Sequence, residues 1–513
     1  MNGAESLVRT LIASGVDVCF ANPGTSEMHF CAALDRVPGL HSVLCLFEGV
    51  ATGAADGYGR MMGKPAATLL HCGPGLANGL AYLHNASRAR TPIVNIVGDQ
   101  ATYHAPLDPP LATDTEAWAN PPSVWVRRVT HSETLGSDAA AAVQAARNPP
   151  GGIATLILPS DVSWNDGGAE APALPVARRA KAPDTAVKEA AQALRSGEAT
   201  VILITGAALM PEALADANRI AAATGARVHA PTFNARIARG RGRHAIDTVP
   251  YSVDESVRLL AGTKHLILAG TGEPVAFFAY PGKPGIVSPK DAVSHWLARP
   301  EEDLPEALAR LASELGCAKA PPPVHAGQSA PGSGAVTPEG AAETLAAVMP
   351  DDAILVDEAI TLRGPFFAGT KNAPPHDWLQ VPGGAIGGGL PIATGAALAA
   401  RGRRVIVLEG DGSAMYTVQA LWTQARENLD VTTIILSNRK YAVLLHELTQ
   451  TGATAGPTTH EIFEIARPNL DWPRLAGAMG VEAARADSLE RFADLLRQAN
   501  SRRGPFLIEL MLP

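Results

Sequence analysis

The sequence predicts an α/β protein of three successive domains, each with a parallel sheet flanked by helices. Three observations carry this: the chain's length, a series of short apolar runs without polar alternation, and two breaks rich in Ala, Pro and Gly. At 513 residues the chain exceeds the roughly 100–200 residues of a typical single core. The runs ATLILP (154–159), TVILIT (200–205), HLILAG (265–270), AILVDE (353–358), RVIVLEG (404–410), TTIILSN (432–438) and PFLIELML (505–512) have strand length. Their continuous apolarity fits strands covered on both faces, as in parallel sheets. Between them, VKEAAQALRSG and PEALADANRIAAATG place apolar residues at i, i+3 and i+4 and close on Gly, the pattern of amphipathic helices. The stretches 164–184 and 317–340 read as surface linkers. They give an N-terminal domain over 1–165, a central domain over 183–316 and a C-terminal domain over 337–513.

Composition narrows the function classes. Hydrophobic residues make up 46% and charged residues 18%, the balance of an ordered globular chain. A net charge of -8, with no basic run and no zinc-finger spacing, argues against nucleic acid and for small-molecule partners. Cys19, Cys31, Cys45, Cys72 and Cys317 are scattered and odd in number, so neither a disulfide framework nor a Cys-based zinc motif is expected. Residues 1–12 lack the apolar core of a signal peptide, and no apolar run reaches the roughly 18 residues of a membrane span. The expected location is therefore the cytoplasm.

Open parallel sheets bind ligands beyond the carboxyl ends of their strands, and three such places in this sequence are unusual. In RVIVLEGDGSAMYTVQALWTQARENLDVTTIILSNRKYAVLL, a strand runs into Gly410-Asp411-Gly412-Ser413, then a helical stretch, then a strand ending at Ser437-Asn438. Asp411, the Asn438 amide oxygen and a backbone carbonyl just beyond would give a hard cation three oxygen ligands. The glycines let backbone approach a phosphate, and a following helix start would turn N–H groups toward its charge. Upstream, QVPGGAIGGGLPIATGAALA is a glycine-rich loop entering a helix of small residues. Near the N-terminus, FANPGTSEMHF, LCLFEGVATGAADGYGRMMGKPA and LLHCGPGLANGLAYLHNA each put a polar residue directly after an apolar run. Thr25 and Ser26, in NPGTSE, could meet a substrate carboxylate or form a capped Pro-Gly turn.

GDG followed by 25 residues and Asn resembles the thiamine-diphosphate signature of the family that contains acetolactate synthase, pyruvate decarboxylase and benzoylformate decarboxylase. The signature usually ends Asn-Asn; here it is Ser437-Asn438, and the second position is the one that matches the metal ligand. The resemblance implies Mg2+ held by Asp411, Asn438 and the carbonyl of Lys440, with Gly410, Gly412 and Ser413 around the diphosphate. It implies further that the Gly384 carbonyl accepts from the pyrimidine amino group and that Ile386 wedges beneath the bent cofactor. LFEGVATGAADGYGR matches the segment whose Glu, here Glu48, hydrogen-bonds N1′ of the aminopyrimidine and so initiates activation. LHCGPGLANG resembles the benzoylformate decarboxylase loop with an active-site histidine, which makes His71 a candidate proton shuttle or carboxylate binder. Asn78 and His104 are weaker candidates.

The resemblance spans the whole chain, strongest at its two ends, and most resembles an acetolactate synthase-like large-subunit group. It implies the α/β three-domain fold, thiamine diphosphate and Mg2+ as cofactors, and a homodimer or homotetramer with sites between chains. FAD is not expected, because the central domain lacks the Arg- and Asp-containing motifs of the flavin-binding members. In GTGEPVAFFAYPG, Phe277 stands where benzoylformate decarboxylase has a second histidine. RKYAVLLHELTQ after Asn438 would line the substrate pocket, with Tyr441, Leu445 and His446 as candidates. The implied activity is C–C bond cleavage or formation on 2-oxo acids, by decarboxylation or carboligation. Open alternatives are a benzoylformate decarboxylase-like enzyme, a catalytically silent cofactor-binding subunit and a nucleotide-dependent oxidoreductase. Against the last, G-x-G-x-x-G is absent after the apolar runs.

Overall fold

A computed structural model describes residues 1–319 and 330–512; part of the predicted 317–340 linker and the final Pro513 lie outside the described residues. Three sheets of mostly parallel strands, flanked by helices, account for the described chain. The first comprises β1 (Val18–Asn22), β2 (His41–Leu44), β3 (Ala66–Leu70), β4 (Ile93–Asp99), β5 (Ser123–Arg128) and β6 (Ile153–Pro159), in the order β2-β1-β3-β4-β6-β5. The second comprises β7 (Thr200–Ile204), β8 (Arg227–Ala230), β10 (Asp247–Thr248), β11 (His265–Ala269) and β12 (Val293–Ala298), in the order β10-β8-β7-β11-β12. The third has β13 (Ala353–Glu358), β14 (His376–Gln380), β15 (Val405–Gly410), β16 (Val431–Ser437), β17 (Glu482–Ala486) and β18 (Phe506–Met511). Its edge is β9 (Arg236–Arg239), in the order β17-β18-β16-β15-β13-β14-β9.

All seven apolar runs form strands, and their two-sided apolarity has a direct structural cause. Along β15, Val405 and Val407 belong to a core shared with the first sheet through Phe20, Val43 and Leu70. Ile406 and Leu408 belong to a core shared with the second sheet through Ile202, Ile204 and Ile267. Successive side chains of a strand point to opposite faces, so the third sheet is covered on both sides, by the helix Gly389–Ala399 against β13, β15 and β16 on one and by the helix Leu489–Asn500 against β17 and β18 on the other. Burying each such aliphatic side chain contributes roughly 1.5–3 kcal/mol.

Two features were not anticipated. The chain leaves the second sheet after β8 to add β9 antiparallel to β14, then returns to it with β10. The helix expected after GDG is broken: Asp411–Ala414 makes one turn, and Ala420–Arg426 follows after a turn segment. By contrast, the small-residue helix Gly389–Ala399 forms as expected and is buried along most of its length.

That helix packs against Glu48–Met62 of the N-terminal region with backbone nearly touching backbone. A Cβ on Gly395 would overlap the Ala54 carbonyl, one on Gly57 the Ile392 carbonyl, and one on Gly53 would lie 2.6 Å from Pro391 Cβ. This crossing fixes the start of Glu48–Met62 relative to the glycine-rich loop 383–388. No helix among the described residues is long and apolar enough to cross a membrane.

Candidate active site

The carboxyl ends of β13, β15 and β16 open onto one cavity. Its lining includes Ile360, Ile386, Gly410, Asp411, Gly412, Ser413, Asn438, Lys440 and Tyr441, and all of its lining residues fall within 359–512. Asp411 is 3% exposed. Its Oδ1 accepts from the Gly412 N–H at 2.9 Å and its Oδ2 from the Arg439 N–H at 2.6 Å. Arg439 adopts φ +59°, a left-handed turn that folds this amide back onto the carboxylate. Burial pushes the Asp411 carboxyl above its ordinary range, against the lowering by these amides. Asn438 Oδ1 accepts from the Lys440 N–H at 3.1 Å. A Cβ on Gly412 would lie 2.5 Å from Tyr441 Cε1, so this glycine is what lets the tyrosine close over the turn.

The glycine-rich loop lies beside this cavity. Gly384 has φ +75°, and a Cβ there would lie 2.6 Å from Phe277 Cζ. Phe277 therefore sits directly on the loop, with Phe233, Tyr251 and Phe278 rings 5.7, 5.5 and 4.8 Å away. From the N-terminal region, the Tyr82 hydroxyl donates to the Ile386 carbonyl at 3.3 Å, and Asn85 Nδ2 donates to the Ala385 carbonyl at 2.8 Å.

Two carboxyls that sequence reasoning did not single out hold the loop from below. Glu358, at the end of β13, accepts from the Gly387 N–H at 2.5 Å and the Gly389 N–H at 2.6 Å. Glu409, one residue before the GDG turn, accepts from the Ser413 hydroxyl at 2.6 Å. Both carboxyls abut Gly389, where a Cβ would overlap Glu409 Oε2 and lie 3.2 Å from Glu358 Oε2. Burial pushes Glu358 up to about 7, and burial together with the Glu358 charge pushes Glu409 up as well. The available signal was position, since both end apolar runs and stand where parallel sheets place functional groups.

The N-terminal candidates form two side-chain groups. Glu48 starts the helix Glu48–Met62 and is buried, with Oε2 accepting from Asn78 Nδ2 at 3.0 Å. His71 caps the helix Cys72–Ala89, and its Nδ1 lies 2.9 Å from Oε2 of the fully buried Glu27. Because that carboxylate needs a donor, Nδ1 carries the hydrogen, and in the neutral ring Nε2 is the nitrogen with the lone pair. Ser26 Oγ lies 3.4 Å from His71 Nδ1 and 3.0 Å from Cys72 Sγ, while the adjacent Thr25 is exposed. Glu27 stood within the quoted NPGTSE string, but a partner 44 residues away is visible only once β1 and β3 pair. His104 is exposed at the start of the turn Ala105–Leu107.

The structure thus gathers the C-terminal candidates around one cavity, brings Phe277 to the loop above it, and leaves Glu48 and His71 outside that cavity's lining. Leu445 and His446 lie on the helix Ala442–Thr451, which has no buried residue. Glu447 of this helix accepts from Tyr280 at 2.8 Å and Tyr251 at 3.3 Å, tying it to the central region.

Comparison with known proteins gives the family. Residues 1–118 match the thiamine pyrophosphate enzyme N-terminal TPP binding domain, and residues 367–510 match the C-terminal TPP binding domain. The chain is 50% identical, over 100% of its length and 99% of the relative's, to the Mycobacterium tuberculosis protein named "Putative acetolactate synthase large subunit IlvX". It is 28% identical to the benzoylformate decarboxylase of Pseudomonas aeruginosa, covering 97% of this chain and 96% of that one. Among solved structures, the thiamine diphosphate-dependent 4-hydroxybenzoylformate decarboxylase of Rhodococcus jostii superposes with a TM-score of 0.85 at 26% identity, covering 99% and 98% of the two chains. The chain belongs to the family of thiamine-diphosphate-dependent enzymes.

Proposed function

We propose that this chain is a thiamine-diphosphate- and Mg2+-dependent enzyme that breaks or forms the C–C bond next to the carbonyl of a 2-oxo acid. The observation that carries the reading is the cavity at the ends of β15 and β16, where Asp411 and Asn438 present oxygens beside Gly412 and Ile386. The residues present fit the group: a buried carboxylate, an amide oxygen and nearby backbone carbonyls are the donor set of a hard divalent cation. Asp411, Asn438 and the Lys440 carbonyl would hold Mg2+. Gly410, Gly412 and Ser413 would face the diphosphate, and Gly384 and Ile386 the middle of the cofactor. When bound, thiamine diphosphate supplies a positively charged ring that accepts the electrons released at the substrate carbonyl.

The chain's own groups take the remaining roles. Glu48, held by Asn78, would hold or give up a proton at the aminopyrimidine N1′ of a bound cofactor. His71, whose Nδ1 is committed to Glu27, offers Nε2 to take up a proton or meet a substrate carboxylate. Thr25 and Ser26 would flank that position, and Phe277 and Tyr441 would line the substrate pocket. In the family this chain resembles, the carboxyl in the position of Glu48 and the one in the position of Asp411 grip opposite ends of one cofactor from different chains, so Glu48 would serve a cofactor held by a second copy of the chain. The working unit is then at least a homodimer, with two sites between protomers.

The reading is tested by incubating purified protein anaerobically with pyruvate, benzoylformate and related 2-oxo acids, with and without aldehyde acceptors, and identifying products by mass spectrometry. Carbon dioxide with an aldehyde or acyloin product, only when both thiamine diphosphate and Mg2+ are added, is expected. Silence across the panel despite cofactor binding would overturn the assignment as an enzyme of this substrate class.

A further inference from the structure

The group around His71 contains more than proton transfer requires. Glu27, His71 and Cys72 each offer one ligand atom, and these atoms lie within 4.8 Å of one another. We propose that Glu27, His71 and Cys72 form a binding site for a thiophilic divalent cation of the Zn2+ type, and that its occupancy silences His71. The inhibitory half of this proposal rests on the role given to His71 above; the binding half does not.

The donor chemistry selects the class of ion. One carboxylate, one imidazole and one thiol are the mixed O, N and S set that zinc-like ions favour, whereas Mg2+ prefers the all-oxygen set at Asp411. Charge points the same way. Glu27 is fully buried, its sole ion-pair partner among the described residues is His71, and its Oε1 has no hydrogen-bond partner. A buried carboxylate with so little compensation gains from a cation. Asp99 also bears on Cys72, although Arg128 pairs with it. A dication on one carboxylate, one thiolate and one neutral imidazole would leave the buried site uncharged.

The ligands are gathered before any ion arrives. The Gly24 N–H donates to Glu27 Oε2 at 2.7 Å. The His71 ring rests on Gly24, where a Cβ would overlap it. Cys72 adopts φ +53° at the start of its helix, which turns its thiol toward Ser26. A tetrahedral ion with bonds of about 2.0–2.3 Å needs ligand atoms about 3.3–3.8 Å apart. The Glu27–His71 contact at 2.9 Å must open by about 0.4 Å and Cys72 Sγ must close by about 1 Å. The His71 side chain is 27% exposed and gives the ion a way in.

The proton balance explains how binding would act. Cys72 gives up its S–H proton as the S–metal bond forms. His71 gives up its Nδ1 proton to coordinate and gains one at Nε2, so one proton is released per ion bound. Nε2 then has no lone pair, and the hydrogen bond to Glu27 is lost. Both features that fit His71 for proton uptake are removed at once.

Co2+ is the probe, because a thiolate ligand gives it a near-ultraviolet charge-transfer band that an all-oxygen site cannot produce. Full-length protein is titrated with Co2+ without thiamine diphosphate or substrate. A band that Zn2+ displaces, with release of one proton, is expected. Cys72→Ser and Cys72→Ala should both lose the band and bind Zn2+ more weakly by on the order of 100-fold, while Cys31→Ser keeps both. In turnover assays, Zn2+ should inhibit the unmodified protein and spare Cys72→Ser. No band, or a band that survives in both Cys72 variants, overturns the site. A Cys72-dependent band without inhibition overturns the switch. Since the spectrum needs neither cofactor nor turnover, failure here is distinguishable from failure of the proposed reaction.

Discussion

The C-terminal and N-terminal parts of the candidate site are built by different means. At the C-terminal cavity, Asp411 is tied to the backbone amides of Gly412 and Arg439, Asn438 to that of Lys440, and Glu358 to those of Gly387 and Gly389. Position there follows from the sheet and its turns. In the N-terminal region, the groups of interest are held side chain to side chain, Glu48 by Asn78 and His71 by Glu27. The contrast separates a rigid cradle, suited to fixing a charged ligand, from adjustable pairs suited to moving protons. Mutations in the first should show in cofactor affinity, and mutations in the second in rate.

The largest expected effect tests the N-terminal half. Glu48→Gln keeps size and hydrogen bonding but cannot exchange a proton. It should lower kcat by about 100- to 10,000-fold while changing the thiamine diphosphate dissociation constant less than about tenfold. Steady-state kinetics beside calorimetry reads both, and an unchanged kcat would remove Glu48 from the chemistry. Next, Asp411→Ala should weaken cofactor binding with Mg2+ by about 100-fold or more. Thermal unfolding without cofactor should change little or improve, since a buried carboxylate is lost. Equal affinity in calorimetry would show that the metal end is built elsewhere.

A smaller effect concerns the joint between the two halves. Gly395→Ala places a methyl group into the Ala54 carbonyl across the helix crossing. Overpacking of this kind costs about 1–3 kcal/mol, to be read as a lowered denaturant midpoint. Activity per folded molecule should also drop if the crossing sets how Glu48 is presented to the second copy of the chain, and remain if it serves stability alone.

What the sequence disclosed follows the same division. Strands buried on both faces need apolar residues at every position, so β6, β7, β11, β13, β15, β16 and β18 could be read directly. Turn chemistry marked the GDG segment and Asn438, because there the backbone itself makes the shape of the cavity. The strand β9, RIAR, was not legible: it is four residues long, carries two arginines, and pairs with β14, where the His376 opposite Arg239 lies 137 residues later in the chain. Glu27 and Glu358 escaped for a related reason. Their partners lie 44 and 29 to 31 residues away, and no periodicity encodes a contact made only when separate strands align. The helix after GDG was over-read, since its apolar pattern continues through the turn between Ala414 and Ala420.

The smallest expected effect is a pH dependence that isolates the carboxyl beneath the loop. Burial raises Glu358 from 4.5 to about 7, and the neighbouring Asp357 charge adds to the rise. Folded protein then retains a proton that unfolded chain has already released between these values. A group raised in this way contributes its full stability below 4.5 and loses that contribution as pH climbs toward about 7. Glu409 is raised and acts in the same direction. Asp377 acts in another window: despite burial, Arg236 and Arg403 hold it below 3.8, so its contribution is lost only on strong acidification. Unfolding followed from pH 4.5 to 8 should therefore show a decline that Glu358→Gln flattens, because glutamine has no proton to release. The same variant offers one acceptor oxygen to two loop amides, so at pH 5 it should be less stable than the unmodified protein and at pH 8 closer to it. A decline of equal slope in both proteins would assign the pH dependence to other groups and leave Glu358 only its hydrogen bonds to Gly387 and Gly389.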